Sequence, residues 1–409
     1  MWLYNLGISL YAGGIRLAAL WHGKARLWSE GRRNIFERME AAVRPSDRIV
    51  WVHAASLGEF EQARPIIERL RAEHPEYKIL LTFFSPSGYE IRKNYEGADY
   101  VFYLPADTPS NARRFLDIVH PEIAIFIKYE FWINLLSELR RRKVRSYIVS
   151  AIFRRNSVFF RPYGAMWRQA LETFDTLFVQ NVESKRLLSE IGFDNVVVAG
   201  DTRFDRVAQI AAAAQRVETI ERFRGGGRLF VAGSTWGPDE EILLPLVNAN
   251  PDVKFVIAPH EMDEGRIAHL MRDAKGGAVR YTQCDAATRF DDVQVLVLDT
   301  MGMLSSVYGS ATWAYVGGGF GVGIHNTLEA ATFGLPIAFG PNYGKFKEAR
   351  DMVSLGCAVS VRTVGELAAW FAPLRDDEET LRRASRTAKD YTARNQGATG
   401  IILRSIFNS

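Results

Sequence analysis

Cysteine is scarce in this chain. Cys284 and Cys357 are the only two, they stand far apart, and neither sits in a metal-ligand spacing. They supply no disulfide framework and read as small buried apolar side chains of a reducing compartment. The seven histidines form no His-x-x-His or His-Glu-x-x-His group, so no zinc site is expected. Net charge is also small. The 51 lysines and arginines face 47 acidic residues, and an excess of +4 gives no reason to expect a nucleic-acid partner. Low-complexity tracts, short repeats and a Walker pattern are missing. The one dense glycine cluster, Gly317 to Gly323, fails the dinucleotide fingerprint, because the third glycine would fall on Val322 or Ile324.

What is present is globular and large. A chain of 409 residues, 47% hydrophobic and 24% charged, suggests two domains. Short apolar runs at 48–54, 78–84, 99–104, 122–128, 146–151, 176–180 and 196–200 alternate with helical patterns, for example at 60–73, 109–118, 131–142 and 183–190. A second series reads as strands at 228–233, 253–258, 278–282, 293–298, 312–316, 336–339 and 358–361. Strands that alternate with helices predict parallel sheets covered on both faces. The stretch 206–227 reads as a polar-alanine helix that ends in three glycines and connects the domains, and the last segment, 376–409, reads as helical. Two similar α/β halves with such a hinge suggest a cleft between them.

Residues 1–22 are apolar and aromatic, interrupted by Asn5 and Arg16. A spanning helix needs about 20 mostly apolar residues, so this one is borderline. It lacks the basic start and cleavage site of a signal peptide. Trp2, Tyr4, Trp21 and Trp28 suit a membrane interface, and the basic residues that follow would hold that flank in the cytoplasm. The alternative is an amphipathic helix docked on the protein's own core. Two later basic runs, Arg140 to Arg145 and Arg154, Arg155, Arg161 and Arg168, read either as solvated helix faces or as a surface for anionic lipid or a phosphorylated substrate.

Chemistry concentrates at strand ends. Trp51 to Phe60 is a strand that stops at a Ser-Leu-Gly turn and passes into a helix, which puts Glu59 in the first strand-to-helix loop. An acid there is also an ordinary capping residue. In the second half a strand enters the glycine loop at Gly317–Gly318, and a helix leaves it near Asn326. Backbone N–H groups of such a loop can approach a phosphate closely. Asn326 and Glu329 lie one turn apart and can point together at a sugar hydroxyl. Ser234 and Thr235, Pro259 and His260, and Asp299 to Met303 occupy other strand-end loops of the same half.

Taken in order, these motifs resemble the 3-deoxy-D-manno-octulosonic acid (Kdo) transferases of lipopolysaccharide synthesis. The resemblance runs from the N-terminal segment to the C-terminal helix. It is carried by His53 to Glu59, Pro86-Ser87-Gly88, Tyr103-Leu104-Pro105 with Asp107, Glu130-Phe131-Trp132, Gly200 to Asp205, Asp299 to Gly302, and Gly317-Gly318 through Asn326 to Ala331. It implies a GT-B fold, two Rossmann-like domains facing a central cleft, with a membrane-anchoring N-terminal helix. The implied layout is an anchor at 1–25, an acceptor domain at 26–205, a linker at 206–227, a CMP-sugar domain at 228–385 and a C-terminal helix at 386–409 that would pack back on the first domain. The implied activity is metal-independent, inverting transfer of Kdo from CMP-Kdo to a lipid A precursor (lipid IVA), without cofactor, at the cytoplasmic face of the inner membrane. Glu59 maps to the general base and Glu130 to a second acid. Donor contacts map onto Pro259, His260, Met301, Gly302, Met303, Asn326, Thr327, Leu328 and Glu329, joined by Arg203, Ser234, Thr235 and Gly318. Ser56, Gly58, Arg154, Arg155 and Arg161 are acceptor positions by placement alone. Lys128 stands where many members carry an acid, His260 where many carry Arg, and Met303 where many carry Glu. Rival readings are another nucleotide-sugar transferase and a nucleotide-binding protein without chemistry.

Overall fold

Among the described residues, seven strands form in each half, at the apolar runs. The first sheet comprises β1 (Ile49–Ala54), β2 (Lys78–Phe83), β3 (Tyr100–Tyr103), β4 (Ile123–Ile127), β5 (Arg145–Ala151), β6 (Thr176–Val179) and β7 (Val196–Val198). Its order is β3-β2-β1-β4-β5-β6-β7. The second comprises β8 (Leu229–Thr235), β9 (Lys254–Pro259), β10 (Ala278–Arg280), β11 (Val295–Val297), β12 (Trp313–Val316), β13 (Ile337–Phe339) and β14 (Ala358–Ser360). Its order is β10-β11-β9-β8-β12-β13-β14. Every pairing is parallel. β1 and β4 are buried at every residue, as helix cover on both faces requires.

The computed structural model describes residues 1–408. They divide into one unit of residues 1–206 with the chain from Gln396, and a second of residues 207–395. In the first sheet the strand order reverses between β1 and β4, and in the second between β8 and β12. Open α/β sheets bind ligands beyond the carboxyl ends of strands at such a reversal.

Some segments differ from the sequence expectation. The stretch expected as one connecting helix, 206–227, is two helices, Arg203–Ala213 and Glu218–Arg224. The second buries Ile220 and Phe223 in the core of the second unit. The terminal helix expected at 386–409 is also two, Glu378–Arg394 and Ala398–Phe407, separated by Gly397 at φ 106°. Asp205 caps the last one, accepting hydrogen bonds from Gly397 N–H (2.6 Å), Thr399 N–H (2.7 Å) and the Thr399 hydroxyl (2.6 Å). Its Ile402, Leu403 and Ile406 join the first unit's core with Val50 and Val52.

The N-terminal helix, Trp2–Ala18, lies on the first unit. Among the described residues no helix is long and apolar enough to cross a membrane. Ala12 is buried, and the Tyr11 ring meets Trp28 and Phe84. Trp2, Leu3, Leu6, Leu10 and Leu17 are exposed, as are Leu20 and Trp21 just beyond. The first of the later basic runs forms an ion-pair network. Arg140 pairs with Glu172, Arg141 and Arg142 with Glu138, and Arg142 with Asp117.

Candidate active site

Two carboxylates stand at the strand reversal of the first sheet. Glu59 follows β1, and Glu130 follows β4. Glu59 is the third residue of the Leu57–Glu73 helix and completes a capping box with Ser56. Its Oε2 accepts from Ser56 N–H (2.9 Å) and the Ser56 hydroxyl (3.1 Å). Its Oε1 has no hydrogen-bond partner among the described residues. Burial pushes the Glu59 carboxyl above the ordinary range, and the charge of Glu130 adds to that. The Ser56 hydrogen bond and the charges of Lys128 and His53 act in the opposite direction. Lys128 itself sits at φ 61°, in the left-handed turn that ends β4.

Glu130 is held by a buried polar group. His53, fully buried on β1, places Nε2 3.1 Å from Glu130 Oε2, and its Nδ1 lies 2.8 Å from Thr82 Oγ1. The Trp132 indole N–H donates to the same Glu130 oxygen (2.8 Å). Trp51 donates to Thr82 Oγ1 (2.8 Å), so the parallel register that pairs His53 with Thr82 fixes the far end of the group. The arrangement gives one carboxylate raised in pKa with a free oxygen and a second tied in place beside it, which suits proton removal from a hydroxyl.

The second unit has its own pocket at its strand reversal. A cavity of about 390 Å³ is lined by Trp236 and Pro238 after β8, His260 after β9, and Gly318, Phe320 and His325 after β12. His260 stacks between Trp236 (4.8 Å between ring centres) and His325 (4.3 Å). Trp236 Nε1–H donates to His325 Nε2 (3.2 Å), and burial, with the neighbouring His260, lowers the His325 pKa and favours its neutral form. Buried Asp239 ties the two loops together, accepting from Gly318 N–H (2.9 Å), Trp236 N–H (2.9 Å) and Tyr315 hydroxyl (2.7 Å). Beside this pocket Glu329 accepts from Ser305 (2.9 Å) and from Asn326 Nδ2 (3.0 Å).

The model of the 3-deoxy-D-manno-octulosonic-acid transferase family matches residues 32–206. The chain aligns with the enzyme of that name from Haemophilus influenzae, 25% identical over 378 residues, covering 88% of this chain and 86% of that protein. The Bordetella pertussis enzyme of the same name is 28% identical over 373 residues, covering 87% and 86%. The chain is thus similar to Kdo transferases over most of its length, and residues 32–206 match their family model. It is a glycosyltransferase. Among solved structures, the UDP-GlcNAc 2-epimerase of Neisseria meningitidis matches with a TM-score of 0.61 at 15% identity, over 88% of this chain and 100% of that one. That likeness is one of fold, the two-Rossmann GT-B class.

The Kdo transferase motifs fall into two groups in the structure. Glu59 and Glu130 share the first unit's strand reversal. Of the donor positions, His260 and Gly318 line the second unit's pocket. Ser234, at φ 54°, and buried Thr235 and Pro259 support it from the strand ends. Thr235 is hydrogen-bonded to Glu240 (2.8 Å), and Thr327 and Leu328 are buried. Met301, Gly302 and Met303 form the loop before the Leu304–Tyr308 helix that carries Ser305, and Met301 is exposed. Arg203 lies in the first unit, where it holds buried Asp201 by its Nε (2.9 Å). Of the acceptor positions, Ser56 and Gly58 flank Glu59, while Arg155 is paired with Glu190. Arg154 and Arg161 are exposed, with no carboxylate partner among the described residues. Trp236 was legible only as part of its strand-end loop, and Asp239, Phe320 and His325 had no role assigned from the sequence. All four lie in or next to the loops singled out in the sequence. Among the described residues no three His, Cys, Asp or Glu side chains group so as to hold a metal ion.

Proposed function

We propose that this chain transfers Kdo from CMP-Kdo to a phosphorylated lipid A precursor of the lipid IVA type, at the cytoplasmic surface of the inner membrane, with inversion and without metal. The observation that carries this reading is the pair Glu59 and Glu130 at the strand reversal, one carboxyl raised and open, the other fixed. Glu59 takes the proton from an acceptor hydroxyl. The resulting oxygen bonds to the anomeric carbon as the bond to the CMP phosphate oxygen breaks, and CMP leaves with that electron pair. The charge of Glu130 favours the oxocarbenium-like transition state. The second unit's glycine loop, with N–H groups at the end of β12, and the Trp236–His260–His325 stack are the proposed seat of the nucleotide.

A membrane position is supported by the exposed apolar row on the N-terminal helix. Beside it lies a polar cavity of about 420 Å³ with Arg16, Arg33 and Asn111 in its lining. Neither Arg16 nor Arg33 has a carboxylate partner among the described residues, which suits phosphate-bearing lipid. The direct test is CMP release from CMP-Kdo with lipid IVA, run with and without a chelator. Acceptor-dependent release that the chelator leaves unchanged supports the reading. Release that stops on chelation and returns with a divalent cation overturns the metal-free mechanism.

A further inference from the structure

The N-terminal helix reaches the carboxylate site through hydrogen bonds. The Ile133–Arg142 helix begins directly after Trp132, which supplies no side-chain cap. The first N–H groups of a helix have no partner within it. Here they are taken by groups from far along the chain. Ile133 N–H donates to Tyr4 Oη (3.3 Å), Asn134 N–H to Asp107 Oδ2 (3.0 Å) and Leu135 N–H to Asp107 Oδ1 (2.9 Å). The Tyr4 hydroxyl donates in turn to Asp107 Oδ2 (2.6 Å). Asn134 Nδ2 donates to the Asp107 carbonyl (2.6 Å) and to Asn5 Oδ1 (2.9 Å). Asp107 is only 1% exposed, so each of these donors replaces water that it cannot reach.

The segment held in this way carries the site. Trp132 precedes the capped turn and donates to Glu130, and the Phe131 ring packs on Phe159 at 4.8 Å. The N-terminal helix meets the body through Tyr4, Asn5, Tyr11 and Ala12, while Trp2, Leu3, Leu6 and Leu10 are exposed. Docking and outward display therefore use different residues of one helix and can be separated by mutation.

We propose that Tyr4 and Asp107 are positioning residues for Glu130, so that the helix facing the membrane also sets the carboxylate site. This rests on the roles given above to Glu59 and Glu130. Loss of the Tyr4 hydroxyl leaves Ile133 N–H without its acceptor and Asp107 without its closest donor. The turn that carries Trp132 then loosens, and Glu130 loses its fixed place.

The test uses the full chain with Tyr4→Phe, and a Leu6→Ser, Leu10→Ser double variant beside it. Four quantities are read: kcat and KM with detergent-solubilised lipid IVA, partition onto phosphatidylethanolamine–phosphatidylglycerol vesicles, CMP binding, and amide exchange at residues 130–135. Tyr4→Phe is expected to lower kcat about tenfold. It leaves KM, vesicle partition and CMP binding unchanged and accelerates exchange at 133–135. The double variant is expected to lose vesicle partition at unchanged kcat in detergent. A wild-type kcat for Tyr4→Phe, or a fall only in step with partition, overturns the proposal. A wild type that transfers no sugar overturns the functional reading instead. The latch is then judged on exchange, where accelerated exchange at 133–135 supports it and unchanged protection overturns it.

Discussion

Glu59 is bonded to Ser56 through one oxygen and open at the other, so the replacement chosen decides what is learned. Gln keeps the capping box, whereas Ala removes it at a cost of about 1 kcal/mol. Burial and the charge of Glu130 raise the Glu59 pKa in the folded state. Its ionised form therefore costs stability above that pKa, and the cost is relieved as pH falls through it. Glu59→Gln is expected to unfold at a temperature equal to or above that of the wild type at neutral pH, and Glu59→Ala below it, read by calorimetry. The same shift sets the pH profile. A base must be ionised, so the acid limb of kcat/KM is expected at higher pH than for an ordinary glutamate. Lys128→Met removes a charge that lowers the Glu59 pKa and is expected to move that limb further up. A limb that stays in place would show that Lys128 does not influence the base.

At the scale of the element, the glycine loop is limited by backbone packing. A Cβ on Gly319 would lie 2.5 Å from Gly340 Cα, pressing the loop after β12 against the loop after β13. No side chain can yield there, so Gly319→Ala is expected to weaken CMP binding about tenfold or more and to lower the unfolding temperature, both measurable by calorimetry. The strands were legible in the sequence because each is a short run rich in apolar residues, buried at every residue in the central β1 and β4 and only partly in the outer β7, β10 and β14. The strand-end placement of Glu59 and of the glycine loop was legible because each follows an apolar run at the point where a helical pattern takes over. The break at residues 214–217 was not legible, because the polar-alanine composition continues across it and only tertiary packing of Ile220 and Phe223 separates the two helices. The Tyr4–Asp107 contact joins residues 103 positions apart and leaves no local pattern. Arg203 illustrates the reverse case. Its motif was recognisable, but its side chain is bound to Asp201, two residues away.

At the scale of the molecule, each unit encloses its own core. The first unit's apolar clusters draw on residues up to Val198 and Ala199 and on Ile402 to Ile406, and the second unit's run from Ile220 to Ala388. The chain passes from one unit to the other at 206–207 and returns at 395–396. A fragment of residues 207–395 is expected to fold and bind CMP within a few-fold of the full chain, and titration calorimetry on both decides it. A fragment that ends at 395 and begins at residue 1 lacks Ile402, Leu403 and Ile406 beneath the first sheet. It is expected to lose several kcal/mol of stability, at about 2–5 kcal/mol for each large side chain removed from a core.

The proposed reaction joins two events, proton removal by Glu59 and passage of Kdo to a lipid. The most direct measurement is product mass and CMP release in one tube, with CMP-Kdo generated in situ and lipid IVA as acceptor, wild type beside Glu59→Gln. The wild type is expected to give a lipid heavier by one or more Kdo units, and a folded Glu59→Gln protein that still binds CMP is expected to be slower by about 10²-fold or more. A folded Glu59→Gln protein that turns over at the wild-type rate, or a wild type that binds CMP and adds no Kdo, would contradict the proposed reaction.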